Sequence, residues 1–123
     1  MTELEAELRA AARLFNAGEY HAAHEELDRL WEGTEGRDAD FLKGLIQACI
    51  AMHHYSRANV EGAAKLYSGH RRYLAAYLPA HRKVDVAGFL AEMQRVLQPV
   101  VRARPGEGRA FDFEQRPRWV FMD

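Results

Sequence analysis

The chain has 123 residues, of which 48% are hydrophobic and 28% are charged, and its formal net charge is −1. These values are typical of one globular domain and exclude an intrinsically disordered chain. The near-neutral charge lacks the basic excess of a nucleic-acid-binding domain, and no apolar run reaches the roughly 18 residues of a membrane span. We therefore expect neither nucleic acid nor membrane as a partner.

The cellular compartment is indicated by cysteine usage and by the first residues. Cys49 is the single cysteine and cannot form an intramolecular disulfide. The acidic segment from Met1 to Glu5 lacks the basic and apolar regions of a signal peptide. We therefore predict a cytoplasmic protein.

Charge is distributed unevenly along the chain. Residues 1–64 carry 12 acidic and 6 basic side chains, whereas residues 65–123 carry 6 acidic and 11 basic ones. Our interpretation is an acidic half folded against a basic half. Head-to-tail self-association of two copies is the alternative.

Apolar residues at helical spacing predict five helices. In chain order they cover Thr2 to Ala17, Glu19 to Glu32, Asp38 to Asn59, Val60 to Tyr77, and the stretch from Val86 to about Val101, where Pro99 predicts a kink or an early stop. The boundaries rest on N-cap candidates and on one C-cap glycine, namely Thr2 with Glu5, Asp38, Asn59, Asp85 and Gly18. The chain is therefore predicted to be all-α, a compact five-helix bundle.

The third helix is predicted to be central, because two of its faces can be buried. One face carries large apolar residues and His53, and the other is lined by small residues that allow a close helix approach, namely Gly44, Ala48, Ala51 and Ala58, together with Gln47 and His54. The basic stretches His70–Arg72 and His81–Lys83 are predicted to be solvated, with anion binding as the alternative.

The C-terminal segment has a different pattern. Residues 1–103 form the predicted bundle domain, Arg104–Gly108 has the composition of a linker, and residues 104–123 form a predicted docking tail. Its aromatic residues follow a period of two, which indicates an extended segment with one buried face. We expect the tail to dock on its own domain or on a second subunit as a homodimer contact, through Phe111, Phe113, Trp119 and Phe121.

Three linked motifs carry a family resemblance. They are Phe15-Asn-x-Gly18-Glu-Tyr20 with His24-Glu25-x-Leu27-x-x-x-Trp31, then Lys43-Gly44-x-x-Gln47 with His53-His54, and then Arg57-x-Asn59-x-x-Gly62. Over roughly Leu14 to Leu78 they resemble the domain-of-unknown-function family 309. The resemblance implies a compact multihelical fold and no known activity. The stretches Gly18–Leu27 and Gly62–Tyr67 are also similar to tetratricopeptide helical pairs, but they do not recur at a fixed period of about 34 residues, which favours a closed bundle.

Five polar residues of the second and third helices are candidates for a functional site: His21, His24, Glu25, His53 and His54. Pairs spaced three or four residues apart on one helix can chelate a metal, and facing helices of bundles host such sites. One divalent transition metal is therefore a possible cofactor, although our leading expectation is that the protein needs none.

The alternative is a structural role for the same residues. A buried imidazole needs hydrogen-bond partners at both nitrogens. We predict that His24 faces inward and bonds to Glu25 and Gln47, covered by Trp31 and beside His53, in a network that fixes helix register. The leading functional hypothesis is thus a non-catalytic module that binds a protein partner or itself. Its rival is a small metal- or acid–base-dependent hydrolase with His24 and Glu25 as catalytic candidates.

Overall fold

A computed structural model describes residues 2–123 and contains five α-helices and no β-strand in that range. The helices are α1 (Glu3–Asn16), α2 (Tyr20–Glu32), α3 (Gly36–Ser56), α4 (Val60–Leu74) and α5 (Val86–Val101), with 3-10 turns at Ala75–Tyr77 and Phe113–Gln115. The predicted all-α, five-helix architecture is confirmed. None of the helices in residues 2–123 combines the length and the apolar character needed to cross a bilayer.

Local capping signals set the ends of α1. The Thr2 hydroxyl accepts a hydrogen bond from the Glu5 amide at 3.1 Å. At the other end Gly18 has φ +81°, and the Glu19 amide donates to the Leu14 carbonyl at 2.9 Å. Glycine is favoured in this left-handed conformation because it has no Cβ. Both predicted ends of α1 are confirmed.

The third helix begins at Gly36, near the predicted start, but the prediction that Asp38 caps it is wrong, because Asp38 lies within its first turn. The Asp38 carboxylate instead accepts hydrogen bonds from Arg82 at 2.5 and 3.1 Å, and it lies 2.8 Å from His81 Nε2. The bonds from Arg82, and then those from His81, hold the pKa of Asp38 below its usual value. His81 and Arg82, which were predicted to be solvated, thus pair with the Asp38 carboxylate.

Two helix ends also fall before their predicted positions. Helix α3 ends at Ser56 and not at Asn59, which caps α4 instead. The α-helical part of α4 ends at Leu74 and tightens into a 3-10 turn that reaches Tyr77.

Helix α5 continues through Pro99 to Val101. The predicted end near Val101 is thus confirmed, and the alternative of an early stop at Pro99 is not found. Pro99 lacks the N–H that would donate to the Arg95 carbonyl, and the helix extends only two residues beyond it.

Each helix packs chiefly against its neighbours in the chain, and α3 buries the most residues. The closest approach is between α3 and α4. A Cβ built on Gly44 would lie 2.6 Å from the Leu74 side chain, closer than side chains tolerate. The small-residue face predicted for the third helix is therefore the face that receives α4.

The C-terminal tail packs on the same chain. The Asp85 amide donates to the Val120 carbonyl at 3.0 Å, and the Met122 amide donates to the Lys83 carbonyl at 2.7 Å. Trp119 is 2% exposed and Val120 is 53% exposed, so the predicted alternation holds there. It fails at Phe113, which lies in a 3-10 turn and is 46% exposed.

Candidate functional site

Four histidines form a row across α2 and α3. The ring centroids of His21 and His24 are 6.0 Å apart, those of His21 and His53 are 5.5 Å apart, and those of His53 and His54 are 6.2 Å apart. The start of α2 therefore lies beside the end of α3, as in an antiparallel pair. The structure thus brings together the four histidines singled out in the sequence.

Carboxylates flank this row on the exposed side of α2. His21 Nε2 lies 3.3 Å from Glu25 Oε1, and His24 Nε2 lies 3.7 Å from Asp28 Oδ2. Both pairs are spaced i, i+4 and have solvent-exposed carboxylates, so each contributes little to stability. Glu25 therefore pairs with His21 at the surface and not with His24, contrary to the predicted acid–base dyad.

The predicted network around His24 is not formed. Within residues 2–123, no hydrogen bond joins His24 to Gln47, Glu25 or Trp31. The side chain of Gln47 instead occupies the space above Gly69 of α4. Helical geometry explains this difference. Gln47 and His53 are six residues apart and therefore point about 120° from one another. Gln47 faces α4, whereas His53 faces His21 of α2.

Trp31 has a different role from the one predicted. It is only partly buried, and the Lys43 ammonium lies 5.4 Å from its ring centroid. A cation over an indole face is attracted by the ring quadrupole. Trp31 therefore links the end of α2 to the start of α3 and does not cover His24.

Several motif residues hold α4 against α3. The His54 ring lies where Gly62 leaves room, with a Cβ on Gly62 falling 2.9 Å from the ring. Its Nδ1 is 3.2 Å from Asn59 Nδ2, and Asn59 Oδ1 accepts from the Gly62 amide at 3.0 Å. The Asn59 side chain thus caps α4, as predicted, and also holds the His54 imidazole.

Metal binding by the histidine row remains a prediction. Among the described residues, no group of three or more His, Cys, Asp or Glu side chains has an arrangement that could hold a metal ion. Burial, and then the neighbouring His21 and Arg57, lower the pKa of His53. His53 is therefore neutral at physiological pH, and one of its two ring nitrogens carries no proton.

The most deeply buried histidine is His70, which was predicted to be solvated. It is fully buried in α4, its Nδ1 contacts the Tyr67 carbonyl, and its Nε2 has no partner within residues 2–123. Burial lowers its pKa to about 4. Its spacing of seven residues from Ala63 and four from Leu74 is the signal that could have identified it as a core residue.

A surface groove lies between the start of α1 and the end of α2. It encloses about 510 Å³. Partly buried leucines contribute its apolar lining, and glutamates surround them; the lining residues are Glu3, Leu4, Glu7, Glu26, Arg29, Leu30, Gly33 and Thr34. Glu26 is ion-paired with Arg29, whereas Glu3 and Glu7 have no such partner among residues 2–123.

Comparison with known proteins gives a family match that assigns no activity. No curated protein matches the chain. Residues 8–66, which run from α1 into α4, match a family model. The matched range contains the histidine row and the capping residue Asn59, and it ends before His70 and the tail. Over these residues the chain resembles the family described as Domain of unknown function (DUF309), which confirms the resemblance predicted from the motifs.

Proposed function

We propose that this protein is a non-catalytic binding module, and that its α1–α2 groove receives a basic, amphipathic segment of a partner protein. The observation that carries the proposal is the groove itself, which is lined by Leu4 and Leu30 together with the unpaired Glu3 and Glu7 of the described chain. Apolar contact supplies affinity in such an interface, and complementary charge supplies orientation and association rate.

The charge distribution supports a basic partner. Residues 3–35 carry nine acidic and three basic side chains, whereas residues 36–123 carry nine acidic and fourteen basic ones. The negative charge is thus concentrated on the α1–α2 hairpin. Glu3 and Glu7 lie one turn apart on α1 at the rim, without ion pairs in the described chain. Two uncompensated carboxylates attract lysine or arginine from the edge of an incoming helix.

We also propose the cytoplasm as the compartment of this module. The sole cysteine, Cys49, is buried in the core of α3, so the fold does not depend on disulfide bonds. Proteins of reducing compartments have this property.

The proposal is tested with the full-length protein and a fluorescent peptide that carries leucine on one helical face and lysine on its edges. Saturable binding is expected by fluorescence anisotropy. Reversing the rim charges with Glu3→Lys and Glu7→Lys is expected to weaken binding about tenfold or more at low salt. The matched control reverses two exposed tail carboxylates, Glu107→Lys and Glu114→Lys, and retains binding.

A scrambled peptide of the same composition separates shape recognition from charge attraction alone. Equal affinity for the ordered and scrambled peptides, or equal loss in the rim and tail variants, would contradict the proposed groove.

A further inference from the structure

The tail fills a gap between α1 and α5 that the helices leave open. The Trp119 ring centroid lies 6.2 Å from that of Phe15 on α1 and 5.9 Å from that of Phe89 on α5. Trp119 is 2% exposed, and Phe15 and Phe89 are equally buried. The helices therefore form an apolar groove whose occupant is the tail.

Side chains of both helices bind the backbone of this occupant. Asn16 Oδ1 accepts from the Trp119 amide at 2.8 Å, and Asn16 Nδ2 donates to the Trp119 carbonyl at 2.9 Å. On the α5 side Glu92 Oε1 accepts from the Arg118 amide at 3.1 Å. An asparagine that bonds to both the N–H and C=O of one extended residue replaces the pairing of a neighbouring strand.

The end of the occupant is held by charge. The Arg9 guanidinium pairs with the Asp123 carboxylate and lies 4.3 Å from the centroid of the Phe121 ring. The groove thus recognises three features of an extended segment: an indole, its backbone, and an acidic group four residues later. All of the groove residues that make these contacts belong to α1 or α5.

The linker from Arg104 to Arg109, which connects α5 to the docked residues 110–123, adds almost no contacts. Every residue from Arg104 to Arg109 is exposed, and Gly106 and Gly108 have no atom within 4 Å of a built Cβ. The hydrogen bond between the Glu107 amide and the Arg104 carbonyl, at 2.9 Å, is local. The linker therefore does not dictate which chain supplies the tail, and six extended residues reach roughly 20 Å.

We propose that the α1–α5 groove is a receptor for this tail segment in trans, and that two copies of the chain exchange their tails. Each groove then holds Trp119 of the other copy with the same hydrogen bonds and the same ion pair. Exchange of an identical element is a low-cost route to a closed dimer. The linker gives the attached tail a high effective concentration, so exchange is favoured at high protein concentration. The inference is independent of binding at the α1–α2 groove.

The test uses complementary charge reversal in the full-length chain. In Arg9→Asp, and likewise in Asp123→Arg, groove and tail carry like charges in every pairing. When the two variants are mixed and exchange tails, position 9 of each groove faces a position 123 of opposite charge. Without exchange, like charges still face each other in both copies. We expect native mass spectrometry of the concentrated mixture to show the mixed dimer at least fivefold above either homodimer. The double variant Arg9→Asp/Asp123→Arg, which matches in cis, is the control.

A mixture that stays monomeric would overturn the proposal, as would a mixed dimer no more abundant than the homodimers. Cross-linking provides a second measurement that does not depend on charge reversal. Copies with Arg9→Cys are mixed with copies with Asp123→Cys and treated with a short bis-maleimide. Burial raises the pKa of the Cys49 thiol and shields it, so it does not compete. Cross-linked dimers are expected, and their absence would refute exchange.

Discussion

Replacement of Trp119 by alanine tests the packing of the tail directly. Trp119 is 2% exposed, and a buried tryptophan removes about 200 Å² from water, which stabilises the fold by about 5 kcal/mol. Its indole Nε1 is buried without an acceptor in residues 2–123, which offsets about 1–2 kcal/mol of this gain. We therefore expect Trp119→Ala to lower the free energy of unfolding by about 3–4 kcal/mol, within the range known for such truncations.

The assay is urea unfolding followed by far-UV circular dichroism, because fluorescence would lose one of the two tryptophans. The expected loss corresponds to a Tm decrease of about 10–15 °C for a domain of this size. The matched control is Val120→Ala, since Val120 is the next residue and is 53% exposed. Its expected effect is below about 0.5 kcal/mol.

A Trp119→Ala loss below about 1 kcal/mol, or one equal to that of Val120→Ala, would refute the reasoning. Either result would mean that the indole does not fill the gap between Phe15 and Phe89.

Two further predictions concern α3 and α4. Because the folded pKa of His70, about 4, lies below the unfolded value of 6.5, its neutral form stabilises the fold fully above pH 6.5 and this contribution is lost as pH falls towards 4. Urea unfolding at pH 7.5 and pH 5 is expected to show a loss of about 2 kcal/mol that His70→Phe largely removes; an unchanged pH dependence in the variant would contradict the buried, neutral ring. Gly44→Ala is expected to cost about 1–3 kcal/mol because its Cβ would meet Leu74 at 2.6 Å. Gly33→Ala has nothing closer than 4.0 Å and should change the free energy of unfolding by less than about 0.5 kcal/mol, so similar losses in both variants would argue against tight packing at Gly44.

Helices and their caps could be predicted because their signals are local. The hydroxyl of Thr2, the left-handed Gly18 and the amide of Asn59 each act within three or four residues of their own position. The role of Asp38 could not be predicted in this way. Asp38 has the chemistry of a cap, but it is used by Arg82 from a distant part of the chain.

The candidate site depended on tertiary contacts, and here the sequence was less informative. Periodicity placed His24 and Gln47 on inward-facing positions, but it does not state which helix covers each position. Gln47 is covered by α4, and His24 lies at the partly exposed edge of α2. His70 was missed because the adjacent Arg71 and Arg72 suggested a solvated charge cluster, although its own helical position faces the core.

The close contact between α3 and α4 affects how a match to the motifs of this chain is interpreted in another protein. The positions Gly44, His54, Asn59 and Gly62 are occupied by residue types that a close interhelical contact and a shared cap require. Replacing any one of these residues would disturb the contact or the cap. Evolution can therefore preserve the pattern through selection for folding alone, while the solvent-facing surfaces diverge to serve different tasks.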